Sequence, residues 1–250
     1  MADATAHRAR RITRPDAVLH GEEVGVGPTV LLLHAGGERR RVWRPVVDVL
    51  VPAGLRCVAF DLRGHGDSSG APRALQPYAD DIAAMIRAEP RGCVVVGASL
   101  GGLAAIAALG EPAVRTKVAG LVLVDVVPDL EPHRVRNFLA THGRSGTYAD
   151  LVDDILARVP ALRRITAGLH LPVLLVRGDD GSSITDDDVE RLRRLAPHAT
   201  VARIPDAGHL VARDQPVALA WAIAGITAEW QAPAHGARAQ RTTGSAAGDR

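Results

Sequence analysis

The 250-residue sequence has little of several residue types that mark specialised classes of protein. Its two cysteines, Cys57 and Cys93, both lie in apolar stretches, so we expect buried thiols and no disulfide framework. Aromatic residues make up 3% of the chain, which disfavours a binding pocket built on aromatic stacking. Lys117 is the only lysine, and a net charge of +2 gives no electrostatic reason to expect a nucleic-acid partner.

Long apolar runs are also missing. No stretch approaches the roughly 20 apolar residues that a membrane-spanning helix needs. The charged N-terminal stretch has no apolar region of the kind found in a secretory signal. The histidines show no metal-ligand spacing, and there is no Rossmann-type glycine fingerprint. We therefore expect a cytoplasmic protein, a monomer or homodimer, that acts on a small molecule without metal, cofactor, membrane or nucleic acid.

Short apolar runs alternate with longer segments of helical spacing. The runs are continuous in Val, Leu and Ile, which is typical of parallel strands buried on both faces. The predicted strands are Val30–His34, Arg56–Asp61, Cys93–Gly97, Gly120–Asp125, Pro172–Arg177 and Thr200–Ile204. The predicted helices are Val42–Val51, Tyr78–Ala88, Leu100–Leu109, Asp186–Leu195 and Pro216–Trp230. This alternation predicts an α/β fold with a doubly wound, mostly parallel sheet.

The other segments are additions to this core, which we place at residues 16–127 and 172–230. Residues 128–171 interrupt the alternation with helix-like pieces, which predicts a short helical lid over one end of the sheet. The stretch "AVLHGEEVGVG" predicts an antiparallel hairpin at the sheet edge. Residues 1–15 are predicted to be a flexible N-terminal arm, and the Gly- and Ala-rich residues 231–250 a disordered tail.

The segment "CVVVGASLGGLAAIAAL" carries the strongest chemical signal. A buried strand runs through Gly97 and Ala98 to Ser99 and continues directly into an alanine-rich helix. This pattern predicts a sharp turn with Ser99 at its apex, where side chains at Gly97 and Gly101 would collide with the turn. The Ser99 hydroxyl would point away from the sheet, beside backbone N–H groups at the helix N-terminus.

Two further segments fit a serine nucleophile. The first parallel strand ends in "LLLHAGG", where the backbone N–H of Gly36, together with that of Leu100, would stabilise an oxyanion. The segment "TVARIPDAGHLV" places His209 after the last strand, at the sheet edge where active sites collect. A lone histidine is more often structural, but this one follows the serine in chain order, as this nucleophile arrangement requires.

Through the pieces "HAGG", "FDLRGHGDS", "GASLGG" and "DAGH", the chain resembles the α/β-hydrolase fold superfamily, over roughly Asp16 to Trp230. The first two pieces and the short lid resemble the compact branch of esterases and carbon–carbon-bond hydrolases. Ala35 replaces a commoner glycine, and its methyl group would crowd the oxyanion-hole backbone. The run "DLRGHGDS" is a structural turn in such relatives, which implies no catalytic role for Asp61, Arg63, His65 and Asp67.

A carboxylate is needed to orient the histidine, and the chain offers more than one. In most relatives it lies three residues after the glycine that ends the strand Pro172–Arg177, but that position is Gly181 here. Asp180 and Asp179 are out of step with this spacing. The loop "GDDGSSIT" is similar to that of relatives with serine in this place, whose acid follows the preceding strand. The resemblance implies Asp125, with Asp180 as second choice and a purely structural Asp125 as the alternative.

The combined prediction is a carboxylic ester hydrolase acting on a small-molecule ester, lactone or thioester. Ser99, His209 and Asp125 would form a triad that works through an acyl-enzyme. The alternatives are a carbon–carbon-bond hydrolase, a lyase or cyclase that uses the same residues for proton transfer, and a noncatalytic binding protein. Serine at the turn excludes the alkyl-enzyme ester that the aspartate of related haloalkane dehalogenases and epoxide hydrolases forms.

The predicted substrate pocket includes residues near the oxyanion segment, in the lid and beside the histidine. These are His34, Gly37, Trp43, Arg134 and Leu210. Basic residues in "ERRRVW" (Glu38–Trp43) and in the lid would recognise a carboxylate or phenolate, or else are solvated surface residues. In the lid they are His133, Arg134, Arg136, His142 and Arg144.

Overall fold

The computed structural model describes residues 6–141, 148–179 and 181–231. Its strands are β1 (Arg8–Thr13), β2 (Val18–Val24), β3 (Thr29–Leu33), β4 (Arg56–Phe60), β5 (Cys93–Ala98), β6 (Val118–Val124), β7 (Val173–Gly178) and β8 (Thr200–Ile204). Within the described ranges they form one sheet in the order β1-β2-β4-β3-β5-β6-β7-β8. Strands β3 to β8 pair in parallel, and β1 and β2 are antiparallel additions at one edge.

All six predicted parallel strands are confirmed, each within two residues of its predicted limits. Residues of β3 alternate between the two faces, with Leu31 and Leu33 in one apolar cluster and Val30 and Leu32 in the other. Both faces are therefore covered, which is why this strand is a continuous apolar run. The predicted parallel α/β sheet is confirmed.

Helices lie between the strands and cover the two faces. They are α1 (Arg44–Leu50, after a 3-10 turn at Arg40–Trp43), α2 (Leu75–Ala88), α3 (Leu100–Ala108), α4 (Pro112–Arg115), α5 (Pro132–Thr141), α6 (Ala149–Ala157), α7 (Val159–Ala167), α8 (Asp186–Leu195), α9 (Val211–Asp214) and α10 (Pro216–Gln231). Helices α1 and α10 pack together on one face, and α2 and α3 pack together on the other. No helix in the described residues is long and apolar enough to cross a membrane.

The described residues between β6 and β7 form three helices, α5, α6 and α7. We name residues 128–171 the helical insertion. Residues 142–147 of this insertion lie outside the described part of the chain. They include His142 and Arg144, which were predicted to recognise a substrate anion. Residues 232–250, which make up nearly all of the predicted tail, also lie outside it.

Residues 8–13 correct the prediction of a flexible N-terminal arm. They form β1, whose residues pair antiparallel with β2 from Arg8 opposite Glu23 to Thr13 opposite Val18. The hairpin at this edge therefore runs from β1 to β2 and is not contained within "AVLHGEEVGVG". The sequence of β1 is RARRIT. Its single large apolar residue, Ile12, packs against the core, so apolar periodicity gave no strand signal there.

Side-chain ion pairs join β1 to the rest of the fold. Arg10 and Arg56 both bind Glu23, and both also bind Glu89 at the end of α2, at 2.9 Å and 2.6 Å. The Glu89 side chain has no solvent exposure. A buried carboxylate is tolerated only when paired and hydrogen-bonded, so these two arginines are required for its burial.

Replacing Glu89 with glutamine is expected to lower the free energy of unfolding by about 3 kcal/mol, because two partly buried guanidinium groups lose one of the two carboxylates that they share. The measurement is urea unfolding at equilibrium. The matched control is Glu111→Gln, since the ion pair of Glu111 with Arg87 is 45% and 46% exposed. That change should cost less than about 1 kcal/mol. Equal losses for the two variants would contradict the prediction.

Candidate active site

Ser99 lies at the turn between β5 and α3. Its backbone has φ of 46° and ψ of −113°. Such a conformation costs a non-glycine residue about 1–3 kcal/mol and occurs where the surrounding structure enforces it. A Cβ atom on Gly97 would lie 2.6 Å from the Cα of Gly102, and one on Gly101 would lie 2.6 Å from the Leu33 carbonyl oxygen. Glycine at these two positions therefore permits the sharp turn, as the sequence predicted.

Asp125 occupies the corresponding position on the neighbouring strand. Ala98, at the end of β5, pairs with Val124, at the end of β6, so Ser99 and Asp125 are the first residues beyond paired strand ends. Asp125 also has a positive φ, of 50°. The Ser99 N–H donates to the Val124 carbonyl at 3.2 Å, and the Asp125 N–H donates to the Val176 carbonyl at 2.8 Å. Both residues are thus held at the carboxyl edge of the sheet.

The structure brings His209 to Asp125. The Nδ1 atom of His209 lies 2.9 Å from Oδ2 of Asp125, whose side chain has no solvent exposure. Because a carboxylate only accepts hydrogen bonds, the imidazole proton lies on Nδ1 and leaves Nε2 as an acceptor. The histidine loop packs closely over β7, since a Cβ atom on Gly178 would lie 2.2 Å from the Ala207 carbonyl oxygen.

The serines of the loop "GDDGSSIT" bind the Asp125 carboxylate. Oδ1 accepts hydrogen bonds from the Ser182 hydroxyl and from the Gly178 N–H, and Oδ2 accepts from the N–H and hydroxyl of Ser183 at 3.3 and 3.4 Å. These donors offset the free-energy cost of burying the charge. Where most relatives have an acid, this loop has donors to an acid on the adjacent strand.

The competing carboxylates were Asp180 and Asp179. Asp180 lies outside the described residues. Asp179 continues β7 by donating its N–H to the Ile204 carbonyl at 3.2 Å, and it is exposed. Among the described residues of this loop and of the neighbouring strand ends, Asp125 is the carboxylate that is hydrogen-bonded to His209.

The two predicted oxyanion residues are neighbours in space. A Cβ atom on Gly36 would lie 3.6 Å from Cδ2 and 3.7 Å from Cβ of Leu100. Gly36 lies just past the end of β3 and Leu100 begins α3, beside Ser99. Ala35 is buried in the apolar core, also lines the cavity, and has an ordinary backbone conformation outside the left-handed region.

His65 is a site residue that sequence reasoning missed. Its Nδ1 atom lies 2.9 Å from the Arg63 carbonyl oxygen, so Nδ1 carries the proton and Nε2 accepts the Gly37 N–H at 2.9 Å. The histidine therefore positions the loop that contains Gly36. The signal was available, because "DLRGHGDS" follows β4 and β4 neighbours β3 in the sheet. Its role is to support the loop, so the expectation of a structural turn agrees with this geometry.

Three of the predicted pocket residues do not line the catalytic cavity. Trp43 is fully buried in the core between the sheet and α1. His34 is also fully buried, donating from Nδ1 to the Ala35 carbonyl and accepting the Leu62 N–H at Nε2. Gly37 binds His65 and lines a neighbouring groove. The prediction is wrong for His34 and Trp43, because sequence proximity to the oxyanion segment does not fix the direction of a side chain.

Burial lowers the pKa of His34 to about 4. In the unfolded chain a histidine has a pKa of about 6.5, so below this pH the unfolded chain binds a proton that the folded protein excludes. The free energy of unfolding should therefore fall as the pH drops from about 6.5 to about 4, by up to about 1.4 kcal/mol per pH unit from this group. Urea unfolding of wild type and His34→Gln across this range measures it. An equal pH dependence in both proteins would contradict the assignment.

A cavity of about 480 Å³ lies above these residues. Ser99, His209, Asp125, Gly36 and Leu100 all line it. So do the predicted pocket residues Arg134 and Leu210. Its walls are mainly aliphatic, and the helical insertion contributes Leu130, Val135, Leu151, Val152 and Ile155. The cavity therefore offers an apolar space beside a serine, a histidine and two backbone amides.

Arg134 is engaged within the protein. Its guanidinium lies 2.7 Å from the Asp188 carboxylate and also donates to the Ser183 carbonyl. Burial opposes ionisation of Asp188, but Arg134 and the groups of Thr185 outweigh it and hold the pKa of this carboxyl below its usual value. Arg134 thus joins α5 to α8 and to the serine loop. Two other basic residues of the insertion that were predicted to recognise a substrate anion, His133 and Arg136, are exposed.

Comparison with known proteins shows the family to which the chain belongs. The model of the alpha/beta hydrolase family matches residues 30–222. The chain is 29% identical to esterase Rv0045c of Mycobacterium tuberculosis, over 81% of this chain and 83% of that protein. It is 27% identical to 2-(acetamidomethylene)succinate hydrolase of Mesorhizobium japonicum, over 78% and 69%. A solved thermophilic esterase of Thermogutta terrifontis shares its fold, with a TM-score of 0.70, 24% identity and coverage of 89% and 99%. The chain therefore belongs to the alpha/beta hydrolase family and is a hydrolase.

Proposed function

We propose that this protein hydrolyses a small-molecule ester, thioester or lactone with an aliphatic acyl group, using Ser99, His209 and Asp125 as a catalytic triad. The observation that carries the proposal is the 2.9 Å hydrogen bond from His209 to a buried Asp125, in a cavity that Ser99 also lines. This bond fixes the imidazole tautomer, with the proton on Nδ1 and Nε2 as the nitrogen that would act as the base. Similarity to an esterase and to a succinate-derivative hydrolase supports the same class of reaction.

In the first half-reaction, the Ser99 Oγ attacks the substrate carbonyl carbon and His209 Nε2 takes the hydroxyl proton. The carbonyl π electrons move to oxygen, and the N–H groups of Gly36 and Leu100 stabilise the resulting oxyanion. When the tetrahedral intermediate collapses, the bond to the leaving group breaks. The imidazolium then gives its proton to the departing alkoxide or thiolate, which leaves an acyl ester on Ser99.

In the second half-reaction, water takes the place of the leaving group. His209 Nε2 accepts one proton from the water, whose oxygen attacks the acyl carbon. The bond to Ser99 Oγ breaks and the proton returns to this oxygen. The products are a carboxylic acid and the original serine. Asp125 stabilises the imidazolium in both halves, while the donors of the serine loop hold its carboxylate in place.

The helical insertion acts as a lid in this proposal. Its aliphatic side chains Leu151, Val152 and Ile155 face the cavity that Ser99 lines. A volume of about 480 Å³ suits a medium-length acyl chain, and an apolar wall excludes water from the oxyanion. The acyl group would lie under the insertion, held mainly by burial of its apolar surface.

A fluorophosphonate probe and a substrate panel test the proposal. Wild-type protein should become labelled on Ser99, as found by peptide mass spectrometry, because only an activated serine displaces the fluoride. A panel of p-nitrophenyl esters of increasing acyl-chain length, lactones and thioesters should then identify the preferred substrate class. Among the p-nitrophenyl esters, we expect longer acyl chains to be hydrolysed faster than acetate. No labelling together with no turnover of any panel member would overturn the proposal. It would favour proton-transfer chemistry on a carbon–carbon bond instead.

A further inference from the structure

An open groove adjoins the catalytic cavity on one side. It has a volume of about 470 Å³ and is lined by Gly37, Glu38, Arg39, Arg41, Val42, Pro45, Ala212 and Arg213. We name it the arginine groove. Glu38 and Arg213 line both this groove and the catalytic cavity, so the two spaces meet at these residues. These two residues form an ion pair at 2.6 Å, so a substrate bound at Ser99 would reach the groove by passing over this pair.

The arginine groove carries a net positive charge, from three arginines against one glutamate. Arg213 binds Glu38 at 2.6 Å, and Glu38 is nearly buried. The side chains of Arg39 and Arg41 are exposed and form no ion pair or hydrogen bond with any described residue. Arg40, which lies between them, is held by Asp61 and Asp67. Two guanidinium groups in the groove are thus available to a ligand.

The catalytic cavity has the opposite character. Its lining is mostly aliphatic, and its charged residues include more carboxylates, among them Asp129 and Glu131, than arginines. The two arginines of the described lining, Arg134 and Arg213, are already paired with Asp188 and Glu38. An anionic acyl tail would therefore find no unpaired guanidinium among these lining residues. The cavity therefore suits a neutral, apolar acyl group, and an anionic group of the substrate has its place in the groove.

The position of the groove relative to His209 indicates which half of the substrate enters it. His209 must reach the leaving-group atom to protonate it, so the leaving group lies on the histidine side of the carbonyl. The groove lies between the segment that follows Gly36 and α9, whose Asp214 carboxylate accepts a hydrogen bond from the Gly208 N–H at 2.9 Å. This bond holds α9 against the histidine loop, so the groove opens on the histidine side of the site, from which the leaving group departs.

We propose that Arg39 and Arg41 bind a carboxylate or phosphate on the leaving-group half of the substrate, a specificity that rests on the proposed function above. The ester or thioester would then have an apolar acyl group in the cavity and an anionic alcohol or thiol in the groove. Guanidinium groups bind both anions through paired hydrogen bonds, so the geometry is compatible with either source.

The test compares matched pairs of substrates. The carboxylate pair is 4-carboxyphenyl octanoate and its neutral methyl ester, 4-(methoxycarbonyl)phenyl octanoate. The phosphate pair is octanoyl-coenzyme A and octanoyl-N-acetylcysteamine. The measured quantity is the ratio of kcat/KM for the anionic to the neutral member, in wild type, in Arg39→Gln/Arg41→Gln and in the control Arg91→Gln/Arg194→Gln. The ratio within each protein cancels differences in the fraction of folded enzyme, and comparing the ratio between proteins cancels the difference in intrinsic leaving-group reactivity.

In the Arg39→Gln/Arg41→Gln protein, the ratio should fall about tenfold or more for at least one pair, mainly through a higher KM. In the control it should equal that of wild type, because Arg91 and Arg194 line neither cavity. Whichever pair responds identifies carboxylate or phosphate as the anion. Raising the ionic strength should also lower the wild-type ratio, because salt screens the attraction between the substrate anion and the two arginines.

Equal ratios in the groove variant and the control, for both pairs, would overturn the inference and leave Arg39 and Arg41 as solvated surface residues. A preference for the p-nitrophenyl monoester of suberic acid over p-nitrophenyl octanoate would also overturn it, since that anion lies on the acyl half. In either case, turnover of the neutral esters that is lost in Ser99→Ala would show that the hydrolase proposal still stands. Absence of any such turnover would overturn the hydrolase proposal itself.

Discussion

Replacing Ser99 with alanine is expected to lower kcat for the best p-nitrophenyl ester by about 10⁴-fold or more, with KM changed little. The variant loses the nucleophile, and the residual rate comes from the oxyanion donors and from binding alone. The acyl pocket keeps its aliphatic walls, so substrate affinity should persist. Steady-state kinetics of wild type and Ser99→Ala, together with loss of fluorophosphonate labelling, measure the effect.

A second variant separates chemistry from backbone strain at this position. Ser99→Gly removes the same hydroxyl, but glycine adopts φ of 46° without the cost that a side chain imposes. It should be as inactive as Ser99→Ala, yet more stable to urea by about 1 kcal/mol. A Ser99→Ala enzyme that retains near-normal turnover would contradict the nucleophile assignment. Equal stability of the two variants would contradict the strain.

Replacing Asp125 with asparagine is expected to lower kcat by about 10⁴-fold. The side chain keeps its shape, but its amide nitrogen donates to His209 Nδ1 and so moves the imidazole proton to Nε2. In that tautomer the histidine cannot accept the Ser99 proton. The imidazolium formed during catalysis also loses its counter-charge. Kinetics with the same ester measure the change, and retained fluorescence and urea unfolding transitions show that the variant is folded.

The matched controls are Asp180→Asn and Asp179→Asn, in the loop that usually supplies the acid. Both should retain kcat within a few-fold of wild type, because the carboxylate that the described structure shows bonded to His209 is Asp125. If Asp180→Asn lost orders of magnitude while Asp125→Asn stayed near normal, the assignment of Asp125 would be wrong. Loss of activity in both would indicate that the two carboxylates share the function.

Much of the sheet could be read directly from the chain. Helices cover both faces of the parallel part of the sheet, β3 to β8. The strands are therefore continuous runs of Val, Leu and Ile, which can be recognised in the sequence without knowing which helices cover them. The turn at Ser99 was equally readable, since the collisions that Gly97 and Gly101 avoid are with residues close in sequence or in the adjoining strand. β1 was missed because its stability depends on Arg10, whose partners Glu23 and Glu89 are distant in sequence.

Pocket residues were the least predictable part of the site. His34 and Trp43 are next to the oxyanion segment in sequence, yet one is bonded to backbone groups and the other lies in the core. Arg134 does line the cavity, but its charge is bound by Asp188. Such outcomes depend on side-chain direction and on partners from other elements, which a linear pattern does not contain.

Residue types and local spacing were sufficient for the α/β class, for Ser99 at a strained turn and for His209 beyond the last strand. These features depend on backbone geometry over a few residues and on the periodicity of burial. The pairing of His209 with Asp125, the serine donors that make this burial possible, and the meeting of an apolar cavity with an arginine groove required the folded chain. Each of them joins segments dozens of residues apart, whose contact is set by strand order and loop packing.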